Sequence, residues 1–208
     1  MTADLALLAL FIPTFFFVSI TPGLCMTLAL TMGMTLGVRT TLWMMAGELV
    51  GVGTVASAAV LGVAAILTQR PEIFIVIKYG GGAYLAYLGI QLWMSRGRMS
   101  VRLDDTPAPQ PRRAELALQG FVTAIANPKA WAFMVALLPP FINLERALAP
   151  QLAMLVTIIL VLEFACLLIY AAGGKSLRKF LQNSGNVRAL NRTAGTLMIG
   201  VGGWLSFL

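Results

Sequence analysis

The stretch FFFVSITPGLCMTLAL, residues 15–30, places Thr21, Pro22 and Gly23 inside a run with no charged residue from Leu5 to Val38. Proline removes a backbone donor and clashes with the preceding turn, and glycine loosens the chain. In a helix interior they cost about 3 and about 1 kcal/mol, so something must offset a break at this point. The uncharged run of 34 residues also exceeds the roughly 20 that span a bilayer as one helix. This segment is therefore expected to tilt, kink or split.

Composition points the same way. Of 208 residues, 59% are hydrophobic and 11% are charged, against about 25% charged in soluble domains, so the chain reads as an integral membrane protein. Its start carries Asp4 and no basic residue, unlike a secretory signal, and the first segment is expected to stay in the mature protein. The chain has no histidine, and Cys25 and Cys166 form no CxxC pair, so neither a metal site nor a cofactor is expected. A histidine-based hydrolase is excluded, and no GxxxxGK[ST] phosphate cradle is present. An enzyme is a poor reading, and uphill work would draw on an ion gradient or a partner.

Charges and turn residues cut the chain into six apolar segments: 5–36, 42–67, 73–93, 116–141, 148–172 and 193–208. The last is short for a span unless Arg192 snorkels or the helix starts near Val187. Arg39, the third loop (Arg96, Arg98, Arg102, Arg112, Arg113) and the fifth loop (Lys175, Arg178, Lys179, Arg188, Arg192) hold most of the basic residues, whereas the opposite loops hold Arg70 and Arg146. By the positive-inside rule both termini face outside. That distribution accounts for the net charge of +7 without a nucleic-acid partner. Pro107, Pro109 and Pro111 in the third loop suit a linker over 96–114 between two three-helix halves, 1–95 and 115–208, of one transporter domain. In KSLRKFLQN, Leu177, Phe180 and Leu181 oppose Lys175, Arg178 and Lys179, as in a helix lying on anionic headgroups.

The halves echo one another. ITPGL in the first segment matches IANPKAW in the fourth; Thr21 and Asn127 suit an N-cap and Pro22 and Pro128 the first helical position, so each reads as the start of a half-helix within the membrane. The second helices each carry one acid, Glu48 and Glu163, and in the third helices Gly82 and Gly89 align with Gly195 and Gly202. Two halves of three spans each must insert in opposite orientation. The fold expected is all-α, with six transmembrane helices as two inverted repeats whose first and fourth helices are broken.

Ionisable residues within a membrane cost about 2.5 kcal/mol or more and need a reason. Glu48, Lys78, Lys129 and Glu163 are the candidates; mutual neutralisation would explain them structurally, and Lys78 lies close enough to the interface to snorkel. Lys129 opposes the positive pole of its own half-helix, so an anion beside it would account for its place. Tyr84 and Tyr87 share a helix face and either line a pathway or pack.

At these residues the chain resembles the lysine-exporter (LysE/RhtB) family of bacterial amino-acid efflux proteins. The proline-glycine break, GGGAYLAYLGIQLW at 80–93, the basic central loop and NPKAWAFMVALLPPFI at 127–142 carry the likeness, over nearly the whole chain. The resemblance implies a multi-pass inner-membrane exporter of amino acids or their derivatives, driven by the proton motive force, with Pro22, Gly23, Asn127, Pro128 and Lys129 at motif positions. The chain departs from the family at Leu24 and Cys25, where members commonly carry proline and asparagine, and at Glu48, where many relatives carry an aspartate.

On this reading the half-helices at Pro22 and Pro128 present free N–H groups, which with Lys129 bind the substrate carboxylate. Glu48 or Glu163 takes the amino group or a coupling proton. The expected partners are thus an amino acid, protons and the lipid bilayer. Two other classes are carried beside this one: a membrane thiol-disulfide carrier using Cys25 and Cys166, and an inorganic-cation exporter or channel with Glu48 and Glu163 as its charge. Gly80, Gly81 and Gly82 permit close helix contact within one chain or in a homo-oligomer.

Overall fold

The computed structural model describes residues 2–69, 73–95, 111–138, 141–143 and 146–207. Residues 96–110 of the linker, with Pro107 and Pro109, lie outside them, as do the side chains of Lys78 and Lys175. The described residues form eight α-helices: α1 (Thr2–Ile20), α2 (Leu24–Thr35), α3 (Val38–Gln69), α4 (Ile73–Met94), α5 (Arg113–Ile125), α6 (Pro128–Leu137), α7 (Leu148–Gln182) and α8 (Ser184–Phe207).

Both expected breaks are present. α1 and α2 meet at 57°, and α5 and α6 at 52°. Within α3 and α7, 38–62 and 148–174 are each long and apolar enough to cross a membrane, and each bent pair qualifies as one further broken span, which makes up to four. α8 begins at Ser184, well before Thr193, which lengthens the segment that looked too short for a span. α7 runs past Ala172 into the basic stretch and kinks at Gly174, where φ is 48° and ψ is −135°. This left-handed conformation favours glycine, and it turns KSLRKFLQ away from the axis of the preceding helix. There Leu181 is buried and Phe180 is exposed.

Glycines set how closely the helices approach. A Cβ on Gly120 (α5) would meet the carbonyl of Met44 and come within 2.8 Å of Glu48 N, and one on Gly47 (α3) would meet the backbone of Ala117. α3 and α5 therefore touch backbone to backbone. α4 and α8 do the same: a Cβ on Gly202 would lie 2.5 Å from the carbonyl of Gly82, and one on Gly89 would lie 2.6 Å from the carbonyl of Gly195. Low-numbered residues of α4 meet high-numbered residues of α8, so the two helices pack antiparallel.

Two apolar clusters fill the interior. One gathers Phe11, Phe15, Val52, Phe133, Leu137 and Ile159, with Phe11 and Phe141 edge to face at 5.0 Å. The other gathers Cys25, Leu30, Met45, Leu116, Cys166 and Tyr170. On α3 the chain passes from Met45 in one cluster to Val52 in the other, and on α7 from Ile159 to Cys166. Glu48 and Glu163 sit at those crossings. The candidate site thus lies in the seam between the clusters, level with both helix breaks.

Candidate functional site

Breaking α1 at Ile20 leaves its last carbonyls without partners in the helix, and side chains from other elements supply them. Lys129 Nζ donates to Val18 O at 3.0 Å and to Thr21 Oγ1 at 2.8 Å. Tyr170 of α7 donates to Ile20 O at 2.7 Å. Thr21 Oγ1 donates back to Val18 O at 2.5 Å. Here the structure corrects two expectations: Thr21 closes α1 rather than opening α2, and Pro22 precedes the second half-helix instead of taking its first position, because Gly23 is the N-cap of α2, with no side-chain cap. A hydroxyl can donate backward to a helix carbonyl as readily as it accepts from a following amide, and a composition-based reading does not separate the two.

The second break follows expectation. Asn127 Oδ1 accepts from Lys129 N at 3.1 Å, and Pro128 opens α6. Asn127 Nδ2 also reaches across to Cys25 Sγ in the first turn of α2, at 3.6 Å. Each break is therefore tied to the other: Lys129 satisfies the end of α1, and Asn127 touches the start of α2.

Five of the seven sequence-derived site residues, Gly23, Glu48, Asn127, Lys129 and Glu163, line one cavity of about 60 Å³. Pro22 and Pro128 shape the breaks beside it, and Pro128 lines the neighbouring cavity. Glu163 is 8% exposed and accepts a hydrogen bond from Ser19 Oγ at 2.5 Å. Glu48 is 0% exposed, and neither of its carboxylate oxygens has a hydrogen bond of good geometry among the described residues, although the Cys25 thiol and the Glu163 carboxyl lie beside it. A buried polar group left in this state costs about 1–3 kcal/mol, more if charged. The close approach of Gly47 and Gly120 fixes the backbone around Glu48 and holds its side chain in the seam.

A space of 60 Å³ admits a few waters but is well below the roughly 300 Å³ of an ordinary ligand pocket, so the walls are drawn in around the charged groups. A second cavity of about 460 Å³ adjoins it through Val18, Lys129 and Phe133 and continues along Tyr84, Gln91 and Ser95 of α4. Tyr84 thus lines this cavity, and Tyr87 stands next to it with ring centres 6.1 Å apart.

Sequence reasoning missed Ser19, Tyr170 and Gly120. Ser19 had a signal, being a polar residue two places before the break. Tyr170 and Gly120 become informative only once the helices are placed. Cys25 and Cys166 are both free and buried, and the sulfur of Cys25 serves as an acceptor for Asn127. Among the described residues no group of three or more metal-ligating side chains comes together.

The family model for LysE type translocators matches residues 16–207, and the chain belongs to that family of membrane exporters. It is 26% identical over 188 residues to the homoserine/homoserine lactone efflux protein of Salmonella typhimurium, which covers 90% of each chain. It is 24% identical over 196 residues to the leucine efflux protein of an Enterobacter species, covering 93% of this chain and 92% of the relative. The threonine efflux protein of Escherichia coli is 33% identical over 96 residues, 45% of this chain and 46% of the relative. No solved structure gives a significant match. The family and the apolar helices together define a multi-pass membrane protein of efflux.

Proposed function

We propose that this protein is a proton-driven exporter of amino acids or close derivatives, in the bacterial inner membrane with both termini outside. Its binding site is the seam between the two helix breaks. The observation that carries the reading is Glu48: a fully buried carboxyl with two unpartnered oxygens, facing a cavity that also holds Glu163 and Lys129. Such a group is retained against its cost where a ligand or a proton completes it.

In this account the ammonium of the substrate meets Glu48. Its carboxylate meets the open amides of the first turn of α2 and the proton of the Lys129 ammonium not given to Val18 or Thr21. Glu163, held by Ser19, is the second carboxyl and takes the coupling proton. Export follows if protonation from outside and substrate loading from inside occur in alternating conformations. The cavity along Tyr84, Gln91 and Ser95 is the path from the cytoplasmic side, since Ser95 adjoins the basic third loop.

The packing supports six spans arranged as two inverted repeats. Matching Gly82 with Gly195 and Gly89 with Gly202 converts the contact of Gly89 with Gly195 into that of Gly202 with Gly82, and both contacts are present. This reciprocity is what a pseudo-two-fold axis in the membrane plane would produce. The two free thiols, one committed to Asn127, give no support to a thiol-disulfide relay.

The test is efflux from cells preloaded with homoserine, threonine or leucine, the substrates in the names of the relatives. Expression should speed the loss of at least one of them, and Glu48→Gln should return it to the background rate. Unaltered efflux in Glu48→Gln would remove this site.

A further inference from the structure

The place of Lys129 is explained by the opposite helix rather than by its own. It lies in the first turn of α6, where a helix repels positive charge, but its ammonium sits at the C-terminal end of α1, which carries about half a negative charge. It bonds there to a backbone carbonyl, Val18 O, and a hydroxyl, Thr21 Oγ1, and the Glu163 carboxyl lines the same cavity. Carbonyl, hydroxyl and carboxyl oxygens at the end of a broken helix are the donors that hold a monovalent cation in transporters built on half-helices. We infer that this is a cation site filled by a tethered ammonium: Lys129 occupies, from the second half of the chain, the position an alkali ion would otherwise take at the break of the first.

Two consequences follow, and they deepen the exporter reading on which they rest. The protein needs no alkali cation from solution, because the positive charge at the α1 terminus is covalently supplied. The ammonium of the substrate is directed to Glu48, whose oxygens are open, rather than to Val18 and Thr21, whose oxygens are taken. The two oxygens that Lys129 bonds, Val18 O and Thr21 Oγ1, belong to the first half and the ammonium to the second, so Lys129 also locks the two breaks in register. Asn127, which caps the backbone of Lys129 and touches Cys25, holds the root of that lock.

The experiment removes the tether and asks whether a free cation replaces it. Wild type and Lys129→Ala are purified in detergent, and Tm is read in chloride salts of choline, sodium and propylammonium, then in choline propionate. Sodium or propylammonium should raise the Tm of Lys129→Ala by about 3 °C or more over choline and leave wild type unchanged. Equal cation responses in the two proteins, or stabilisation of Lys129→Ala by propionate alone, would overturn the inference. If Lys129→Ala is lost on purification, propylammonium throughout should recover it, and recovery no better than in choline counts against the site. Counterflow by the wild type should be the same in sodium and in choline, and sodium dependence would contradict the inference. A wild type that exchanges no amino acid would remove the exporter reading while leaving the cation response of Lys129→Ala standing. A cation-insensitive Lys129→Ala beside normal wild-type counterflow would remove only this inference.

Discussion

Glu48 is held in place at a cost to the fold. Its side chain is fully buried, its oxygens have no hydrogen-bond partner of good geometry among the described residues, and the cavity it lines has room for no more than a few waters. Replacing a buried charged or polar group with an apolar one of similar size is often neutral or stabilising. Glu48→Met is accordingly expected to raise stability by about 1–3 kcal/mol, seen as a higher Tm in detergent, while abolishing export. A lower Tm would mean that Glu48 is a structural partner rather than a ligand group. At this scale the sequence was informative where chemistry is expensive: acids in apolar helices identify themselves by cost alone. It was uninformative where a polar side chain has a choice of partner. Thr21 was read forward as a cap and bonds backward, and nothing in the sequence marks the bonds that Lys129 makes to the end of α1.

Among elements, the breaks were legible because proline and glycine act locally, so α1 and α2, and α5 and α6, divide within a few residues of the expected points. The ends of α7 and α8 were not. Charged residues mark where a chain meets water, but a helix can continue through them, as α7 does to Gln182 with a glycine kink at Gly174. Nor do glycines in a sequence say which of them is a contact. A Cβ on Gly120 would meet the carbonyl of Met44 and the amide of Glu48, whereas among the described residues nothing lies within 4 Å of a Cβ on Gly62. Gly120→Ala must therefore push α5 from α3 and move Glu48. It should cut the initial efflux rate at least about tenfold, an effect that needs only about 1.4 kcal/mol at the site, whereas Gly62→Ala should transport as wild type. Equal rates for the two variants would show that the close approach does not position the carboxyl.

The molecule as a whole divides into a tightly packed α4–α8 pair and a larger group that carries both breaks and both acids. The second cavity runs between them, bordered by Tyr84 and Gln91 on one side and Lys129 and Phe133 on the other. Such a boundary suits rocking of one body against the other around a fixed site. The paired break and paired acid that suggest a repeat are visible in the sequence; the reciprocal glycine contacts that fit the proposed two-fold relation depend on which helices meet. The central claim is that one site, built around Glu48 between the two breaks, binds an amino acid and carries it across. Counterflow of labelled amino acid in proteoliposomes tests this most directly, comparing wild type with Glu48→Gln. The account predicts saturable exchange by the wild type, for homoserine, threonine, leucine or a close derivative, and its loss in Glu48→Gln. Exchange at equal rates in both proteins, or uptake by the wild type that shows no exchange, would contradict it.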